Sequence, residues 1–297
     1  MRILVTGSGG LVGSALTEAL VTAGHCVTRV VRTIPREGEA AWDPVAGTID
    51  TDHLDGHDVV AHLAGEPVAG RWTPAKKARI LSSRVQGTRL LSSTLAGLKQ
   101  PPAILVSASA IGVYGNRGEE TLTEDSAPGS GFLAQVVRAW EAATEPAQAA
   151  GIRVVHLRFG IILSPTGGAL PRMLLPFRLG LGGPVGSGRQ FISWVALGDV
   201  VCAIMQAFGQ PGLVGPVNVT SPHPVTNAEF ARTLGRVLRR PALCRVPACV
   251  IRLMLGEMGR ELLLSSVRAV PARLLASGFS FRYPDLEGAL RQALSSH

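Results

Sequence analysis

The chain has 297 residues, of which 46% are hydrophobic and 17% charged, a composition that is typical of a folded globular protein and excludes a disordered one. Only 5% of the residues are aromatic, so the core must be mainly aliphatic, as in a buried parallel sheet. The net charge of +8 comes almost entirely from arginines that are scattered along the chain, which argues against a nucleic-acid partner and leaves an anionic small molecule as a ligand.

The amino-terminal segment MRILVTGSGGLVGSALTEALVTAGHCVTRVVRT predicts a strand, a glycine turn, a helix and a second strand. The first apolar run breaks at Thr6-Gly7, and apolar residues then recur at helical spacing up to Gly24, a residue type that commonly ends helices. Gly7, Gly10 and Gly13 have the G-x-x-G-x-x-G spacing of a dinucleotide-binding turn. The first glycine permits the turn, the second lets the backbone approach a pyrophosphate, and the third lets the helix pack on the strand.

The end of the second predicted strand distinguishes the two nicotinamide dinucleotides. NAD-binding proteins tend to place Asp or Glu there to bond the ribose hydroxyls, whereas Arg accommodates a 2′-phosphate. This chain has Val31-Arg32-Thr33 and no acidic residue before Glu37. Arg32 therefore predicts NADP, and the alternative is an arginine that is merely solvated on a loop.

Strand and helix patterns alternate through the next part of the chain. Strands are predicted in DVVAHLAGE, AILVSASAIGVYG and GIRVVHLRFGIIL, and helices in KARILSSRVQGTRLLSSTLAG and GFLAQVVRAWEAATEPAQAAG. This alternation predicts an α/β fold with a doubly wound parallel sheet, the Rossmann architecture. We assign residues 1–165 to an NADP-binding Rossmann domain and 166–297 mainly to a smaller carboxy-terminal substrate lobe, with part of 190–222 returning to the sheet.

Several long and unusual stretches resemble the extended short-chain dehydrogenase/reductase superfamily, and most closely its atypical epimerase-family proteins, classed as family 39U, with their bacterial relatives. They include HLAGEPVAGRWT, SSRVQGT, FLAQVVRAWEAA, LPFRLGLGGPVGSGRQFISW, NVTSPHPVTNAEFA and VPARLLASGF. The resemblance implies an NADP-binding Rossmann lobe. By position it implies that Arg84, where many extended members have the Asn of N-V-x-G-T, and Ile162, on the nicotinamide side, also border the cofactor. The predicted cofactor-binding residues are Gly7, Ser8, Gly10, Leu11, Val12, Gly13, Val31, Arg32, Leu63, Ala64, Gly65, Arg84 and Ile162.

The same resemblance raises a question about catalysis. The superfamily carries a Tyr-x-x-x-Lys pair on the helix after the fourth strand, in which the tyrosine passes a proton and the lysine lowers its pKa, and a Glu stands four residues beyond the lysine. With Glu141 as that Glu, the lysine and tyrosine positions fall on Val137 and Leu133, and the usual serine falls on Ala110. Neither of the two tyrosines in the chain is followed four residues later by lysine. We therefore expect the superfamily's acid–base pair to be absent.

Three polar residues remain as weak candidates for a catalytic group. Glu66 follows the third predicted strand and could act as a general base, bond a ribose hydroxyl, or be a solvated loop residue. Ser109 could bind a substrate oxygen, and Tyr114 could donate a proton, although in relatives this loop tyrosine more often packs or positions substrate. His62 lies inside an apolar strand, which favours a hydrogen-bonded core histidine.

The cysteines and the start of the chain indicate a compartment. Cys26, Cys202, Cys244 and Cys249 have no C-x-x-C pair and no metal-ligand spacing, so we expect free thiols, a reducing environment and no metal. The first predicted strand begins at Met1, and no apolar run is long enough to span a bilayer. We expect a soluble, cytoplasmic protein without a membrane partner.

Two functions follow from the sequence. The first is an NADP(H)-dependent oxidoreductase or epimerase-like enzyme for an unknown small molecule, acting through a non-standard acid–base group, because hydride transfer itself needs only a positioned nicotinamide and an acceptor. The alternative is a non-catalytic NADPH-binding sensor or scaffold that regulates a protein partner. A homodimer is expected only by analogy with the superfamily.

Overall fold

The computed structural model describes residues 1–295 and is built around an eight-stranded sheet. The strands are β1 (Arg2–Thr6), β2 (Cys26–Val31), β3 (Glu39–Asp43), β4 (Thr48–Ile49), β5 (Val59–His62), β6 (Ile104–Ala110), β7 (Thr121–Leu122), β8 (Arg153–Phe159), β9 (Ile161–Leu163), β10 (Phe191–Ile192), β11 (Trp194–Ala196), β12 (Gly215–Val219), β13 (Val225–Thr226) and β14 (Arg268–Ala269). The helices are α1 (Leu11–Thr22), α2 (Pro74–Ala96), α3 (Phe132–Ala142), α4 (Glu145–Ala149), α5 (Leu170–Arg178), α6 (Leu197–Gly209), α7 (Asn227–Leu238), α8 (Ala248–Leu262), α9 (Ala272–Ala276) and α10 (Leu286–Ser295), and a 3₁₀ turn covers Ile111–Tyr114.

The strand order of the large sheet is β12-β8-β6-β5-β1-β2-β3-β4. All neighbours are parallel except β3 and β4, which form an antiparallel edge. The order runs outward in both directions from β1, so the crossover helices lie on both faces of the sheet. The predicted doubly wound Rossmann fold is confirmed.

Side chains of the sheet alternate between two cores because successive residues of a strand point to opposite faces. Ile3 and Val5 of β1 pack with Leu16 of α1 and with α6, whereas Leu4 packs on the other face with Leu91 of α2. Both faces are therefore apolar, which explains why the strands read as continuous hydrophobic runs rather than as alternating ones.

Two predicted elements are each divided in the structure. The predicted strand over 151–163 breaks at Gly160: β8 stays in the large sheet, and β9 pairs with β11 instead. Position 160 has to be glycine, because a Cβ there would lie 2.7 Å from the carbonyl oxygen of Ser193. The predicted helix over 131–151 breaks into α3 and α4, and Pro146 stands in the first turn of α4.

The carboxy-terminal part has its own apolar core, in which Phe177 of α5, Trp194 of β11, Phe230 of α7 and Leu290 of α10 are packed together. Between α6 and α7 the chain returns to the large sheet, where β12 pairs with β8 as the edge strand. None of the helices in residues 1–295 combines the length and the apolar character that crossing a bilayer requires.

Candidate functional site

The glycine turn between β1 and α1 is packed so closely that Gly7 and Gly13 cannot carry side chains. Gly7 has a φ of +69°, and a Cβ there would lie 2.7 Å from the carbonyl carbon of Leu63 and 2.8 Å from the nitrogen of Ala64. A Cβ on Gly13 would lie 2.1 Å from the carbonyl oxygen of Gly7. The two predicted cofactor-binding segments, after β1 and after β5, are therefore in direct contact.

The amino terminus of α1 suits an anion. The helix begins at Leu11, its N-cap is Gly10, and the first turn carries no acidic residue. Glycine has no side chain, so the N-cap residue offers no hydrogen bond to the first backbone N–H groups of the helix. Those N–H groups and the positive end of the helix dipole are what a pyrophosphate requires.

Two glycines after β9, Gly167 and Gly168, lie against Leu11 at the start of α1, and Gly168 also lies close to Ile162. A Cβ on Gly168 would lie 3.5 Å from the carbonyl oxygen of Ile162 and 3.6 Å from Leu11, and one on Gly167 would lie 3.2 Å from Leu11. The segment after β9 thus covers the start of α1. Residues that are about 150 positions apart in the sequence therefore pack together at the carboxyl ends of the strands, the end at which doubly wound sheets bind ligands.

Glu66 lies in a basic cluster rather than alone on a loop. Lys76 Nζ is 2.6 Å from its Oε1, and Arg79 Nε is 3.8 Å from the same oxygen. The hydrogen bond from Lys76 is the main cause that lowers the pKa of Glu66, and the charges of Arg79 and the exposed Arg32 add to it. A carboxylate held ionised in this way is a weak base, so the geometry favours an ion-pairing role for Glu66. Sequence reasoning missed Lys76 and Arg79, although two of only three lysines stand together at the start of α2.

Arg84 holds the loop after β5 from behind. Its guanidinium donates to the carbonyl oxygens of Glu66, at 2.9 Å, and Ile80, at 3.2 Å, and it lies 4.9 Å from the ring centre of Trp140. A Cβ on Gly65 would lie 3.4 Å from this guanidinium, and burial lowers the pKa of Arg84 to about 10. The contacts fix the backbone of residues 65–66, where the cofactor contact was predicted.

A buried ion pair stands where the sequence suggested catalytic residues. Arg158 of β8 binds Glu141 of α3 through two hydrogen bonds of 2.8 Å, and the hydroxyl of Ser109 donates to Glu141 at 2.6 Å. Burial opposes ionisation of Glu141, but the hydrogen bonds and charge of Arg158, with the bond from Ser109, lower its pKa overall. Glu141 is therefore an ionised carboxylate that accepts a hydrogen bond from Ser109. Its pairing with Arg158 has no signal in the sequence.

Tyr114 is fully buried, and its hydroxyl is already engaged. It donates to Asn218 Oδ1 at 2.8 Å and accepts from Arg158 Nη1 at 3.1 Å. Burial raises its pKa, against the opposing influence of Arg158 and Asn218. This arrangement favours a packing role for Tyr114 over the donation of a proton to substrate.

The positions of the missing acid–base pair lie on α3, whose amino terminus is capped from the carboxy-terminal lobe. Val137 is buried, and Leu133 lies 3.2 Å from where a Cβ of Gly112 would be. Glu261 of α8 accepts hydrogen bonds from the backbone N–H groups of Phe132 and Leu133, both at 2.9 Å. Glu257, also on α8, forms a 2.9 Å ion pair with Lys77 of α2. Helix α8 thus reaches two helices of the Rossmann part, which sequence reasoning did not anticipate.

His62 confirms the prediction of a core histidine. It is fully buried between the hydroxyls of Thr6, 2.7 Å from Nδ1, and Thr88, 2.9 Å from Nε2. Burial lowers its pKa to about 4, so the ring is neutral at physiological pH.

Comparisons with known proteins cover almost the whole chain. Residues 3–219 match the model of the NAD dependent epimerase/dehydratase family, and residues 246–293 match a domain of unknown function, DUF1731. Epimerase family protein MT2273 of Mycobacterium tuberculosis is 44% identical over 293 residues, covering 98% of this chain and 97% of the relative. Human epimerase family protein SDR39U1 is 36% identical over 300 residues, covering 99% of this chain and 100% of the relative.

Solved structures show the same similarity. The crystal structure of human SDR39U1 with NADPH superposes with a TM-score of 0.92 at 35% identity and full coverage of both chains. UDP-N-acetylglucosamine 4-epimerase from Bacillus cereus superposes with a TM-score of 0.77 at 17% identity, over 99% of this chain and 98% of that one, which shows a shared fold.

Proposed function

Because the chain belongs to the NAD dependent epimerase/dehydratase family, we propose that it binds NADP(H) in the crevice at the carboxyl ends of β1, β2 and β5 and uses it in an oxidoreductase or epimerase-like reaction on a small molecule. The observation that carries the proposal is the contact between the glycine turn and the segment after β5. Gly7 and Gly13 have no room for a Cβ, and the start of α1 beside them has no side-chain cap. This is the cradle that a pyrophosphate fills.

The basic cluster favours NADP over NAD. Arg32 follows β2, and Lys76 and Arg79 lie around Glu66. The charges of all three lower the pKa of Glu66, so the three cations lie near one another. The 2′-phosphate of NADP is a dianion that a cluster of three cations attracts, whereas the ribose hydroxyls of NAD call for an acidic acceptor. The crystallised human relative, with NADPH, supports this assignment.

The chain's own polar groups would orient the substrate. The nicotinamide supplies or accepts the hydride when NADP(H) is bound. The hydroxyl of Ser109 donates a hydrogen bond to Glu141, so the Oγ of Ser109 remains free to accept a hydrogen bond from a substrate hydroxyl. Arg158 keeps Glu141 ionised, so these three side chains are better suited to bind and orient a substrate than to accept a proton from it. Without a Tyr-x-x-x-Lys pair we expect proton transfer to be slow, by about two to four orders of magnitude relative to a positioned acid–base group.

The alternative, an NADPH-dependent sensor or scaffold without turnover, is favoured by the closure of α8 on the Rossmann part. Glu261 caps α3, the helix that carries the tyrosine and lysine positions, and Glu257 binds Lys77. An oxidoreductase changes the oxidation state of the nicotinamide when given its substrate, which is followed by absorbance, whereas an epimerase regenerates its cofactor in each turnover and is followed by the conversion of substrate to product. A sensor instead changes its affinity for a protein partner between the reduced and oxidised cofactor.

The first test is nucleotide identity and preference. The purified protein is denatured and released nucleotide is identified by mass spectrometry, and NADPH and NADH are then titrated calorimetrically into wild type, Arg32→Ala and the control Arg138→Ala. Arg32 and Arg138 are both exposed, but Arg138 lies on α3 and is distant in sequence from the cofactor segments. We expect Arg32→Ala to lose about tenfold in NADPH affinity, in the range of one charge-assisted bond, with no change for NADH. Absence of binding of either nucleotide would overturn the proposal.

A further inference from the structure

Two neighbouring segments of the carboxy-terminal lobe, 175–181 and 239–254, form a surface that we call the basic–apolar surface. Arg240 Nε donates to the carbonyl oxygen of Arg178 at 3.2 Å, and the backbone N–H of Cys244 donates to the carbonyl oxygen of Gly182 at 3.1 Å. The two segments therefore lie side by side. The second one continues directly into the first half of α8, which begins at Ala248.

The charge of this surface has one sign. The two segments contain five arginines and no aspartate or glutamate, and all five are exposed: Arg178, Arg239, Arg240, Arg245 and Arg252. Within residues 1–295, none of the five has a carboxylate oxygen within ion-pair distance. The nearby acids of α8 are engaged elsewhere, Glu257 with Lys77 and Glu261 with α3. The positive charge is left for an anionic partner.

Aliphatic side chains stand free among these arginines. Leu243 and Leu253 are 85% and 88% exposed, and Met254, Leu179 and Leu181 are exposed as well. A side chain that is nearly nine-tenths exposed has protein on almost no side, so it projects from the surface instead of lining a groove. Exposed leucines in such number within two short segments are unusual for a surface that faces only water.

This combination discriminates between partners. A two-fold contact between copies of the chain through this face would set five unpaired arginines against five, which is repulsive. Single-stranded nucleic acid calls for aromatic side chains on which bases stack, and Phe177, the one aromatic residue in the two segments, is buried. The phosphates of a duplex would use the arginines but leave the projecting leucines without an apolar partner. A bilayer surface with anionic headgroups accepts both features, because arginines pair with phosphates while projecting leucines enter the acyl boundary.

We propose that the basic–apolar surface binds the surface of an anionic lipid bilayer, with Leu243, Leu253 and Met254 entering it and the five arginines contacting headgroup phosphates. The sequence predicted no membrane partner because it holds no spanning run, but peripheral contact requires none. The contact leaves the proposed NADP(H) crevice unchanged, since none of its residues belongs to either segment.

The test is co-sedimentation of the full chain with vesicles of phosphatidylcholine alone and of phosphatidylcholine with phosphatidylglycerol. We expect binding only to the anionic vesicles. Replacing Arg240 or Arg245 by Gln should weaken it about fivefold each, and Leu253→Gln with Met254→Gln about tenfold or more. The apolar control is Ile34→Gln with Val45→Gln, two side chains that are 91% exposed in the Rossmann part.

A further control tests whether the loss of any exposed arginine, and not only one on the basic–apolar surface, weakens vesicle binding. Arg138→Gln removes one exposed arginine from α3 and should leave vesicle binding unchanged. The proposal would be overturned if the wild type failed to bind anionic vesicles, or if the control variants lost as much binding as the test variants. It would also be overturned if the chain bound soluble polyglutamate equally well and the Leu253 and Met254 changes had no effect. All the replaced side chains are exposed, so thermal unfolding should match wild type.

The thiols give a second readout. Cys249 lies in the second segment, Cys26 lies on β2, and both are exposed. In single-cysteine variants, which keep Cys249 or Cys26 and replace the other three cysteines, an environment-sensitive fluorophore on Cys249 should shift its emission to shorter wavelength with anionic vesicles, while one on Cys26 should not. Equal shifts at both positions would contradict binding through this surface.

Discussion

Replacing Gly13 by alanine tests the packing of the glycine turn most directly. Alanine in a helix interior normally stabilises by about 0.5–1 kcal/mol relative to glycine. At Gly13, however, the new Cβ would lie 2.1 Å from the carbonyl oxygen of Gly7 and 2.8 Å from the Cα of Ser8, both backbone atoms. To reach an ordinary contact distance the turn and α1 would have to separate by about 1 Å, and overpacking of this kind costs about 1–3 kcal/mol. The sign of the helix preference is therefore reversed.

The matched variant is Gly9→Ala, in the same turn. A Cβ on Gly9 meets no atom within 4 Å, and its φ is not in the left-handed region. Denaturant unfolding should show Gly13→Ala destabilised and Gly9→Ala within about 0.5 kcal/mol of wild type. NADPH affinity of Gly13→Ala should fall by about tenfold or more, because the N–H groups at the start of α1 move away from the phosphates. A Gly13→Ala protein that is as stable as wild type and binds NADPH equally well would refute the reasoning.

Three other predictions concern buried charge, buried histidine and backbone strain. Arg158→Met leaves Glu141 ionised without its partner and should lower the free energy of unfolding by about 3–5 kcal/mol. The double variant Arg158→Met with Glu141→Leu should recover most of that stability, and an equal loss in the single and the double variant would contradict this. Since burial lowers the pKa of His62 from 6.5 to about 4, the unfolded chain binds a proton at a higher pH than the folded one. The free energy of unfolding therefore decreases as pH falls through that interval, by about 3 kcal/mol in total, since each pKa unit corresponds to about 1.36 kcal/mol. NMR should show no titration of the His62 ring above about pH 5. Gly256→Ala in the kink of α8, at φ +57° and ψ −133°, should destabilise by about 1–3 kcal/mol, whereas Gly198→Ala in α6, which has equal space, should not.

The sequence predicts those parts of the site whose cause is local. The spacing of Gly7, Gly10 and Gly13 and the apolar run around His62 are legible because each turn or strand is encoded within a few residues. Gly160 was also visible as a glycine in an apolar run, but the reason why it must be glycine, the approach of Ser193, comes from a segment more than 30 residues away.

The side chains that join the two parts could not be predicted. Glu261 caps α3 from 129 residues away and Glu257 pairs with Lys77 across 180. In the sequence each is an ordinary acid on an amphipathic helix. Their partners are decided by where the carboxy-terminal lobe docks, and no periodicity carries that information.

The return of β12 to the edge of the large sheet has a consequence for folding. Its partner β8 ends at Phe159, and β12 begins at Gly215 after the chain has passed through β9, α5 and α6. A polypeptide cut at residue 165 would keep the pairing of β8 with β6 but leave its other edge unpaired, and the apolar face that α6 covers would be open to water. Both features lead to aggregation. During synthesis the nucleotide-binding part cannot close until Val219 has emerged. We therefore expect the isolated amino-terminal fragment to be insoluble, and the two parts of the chain to unfold together rather than one after the other.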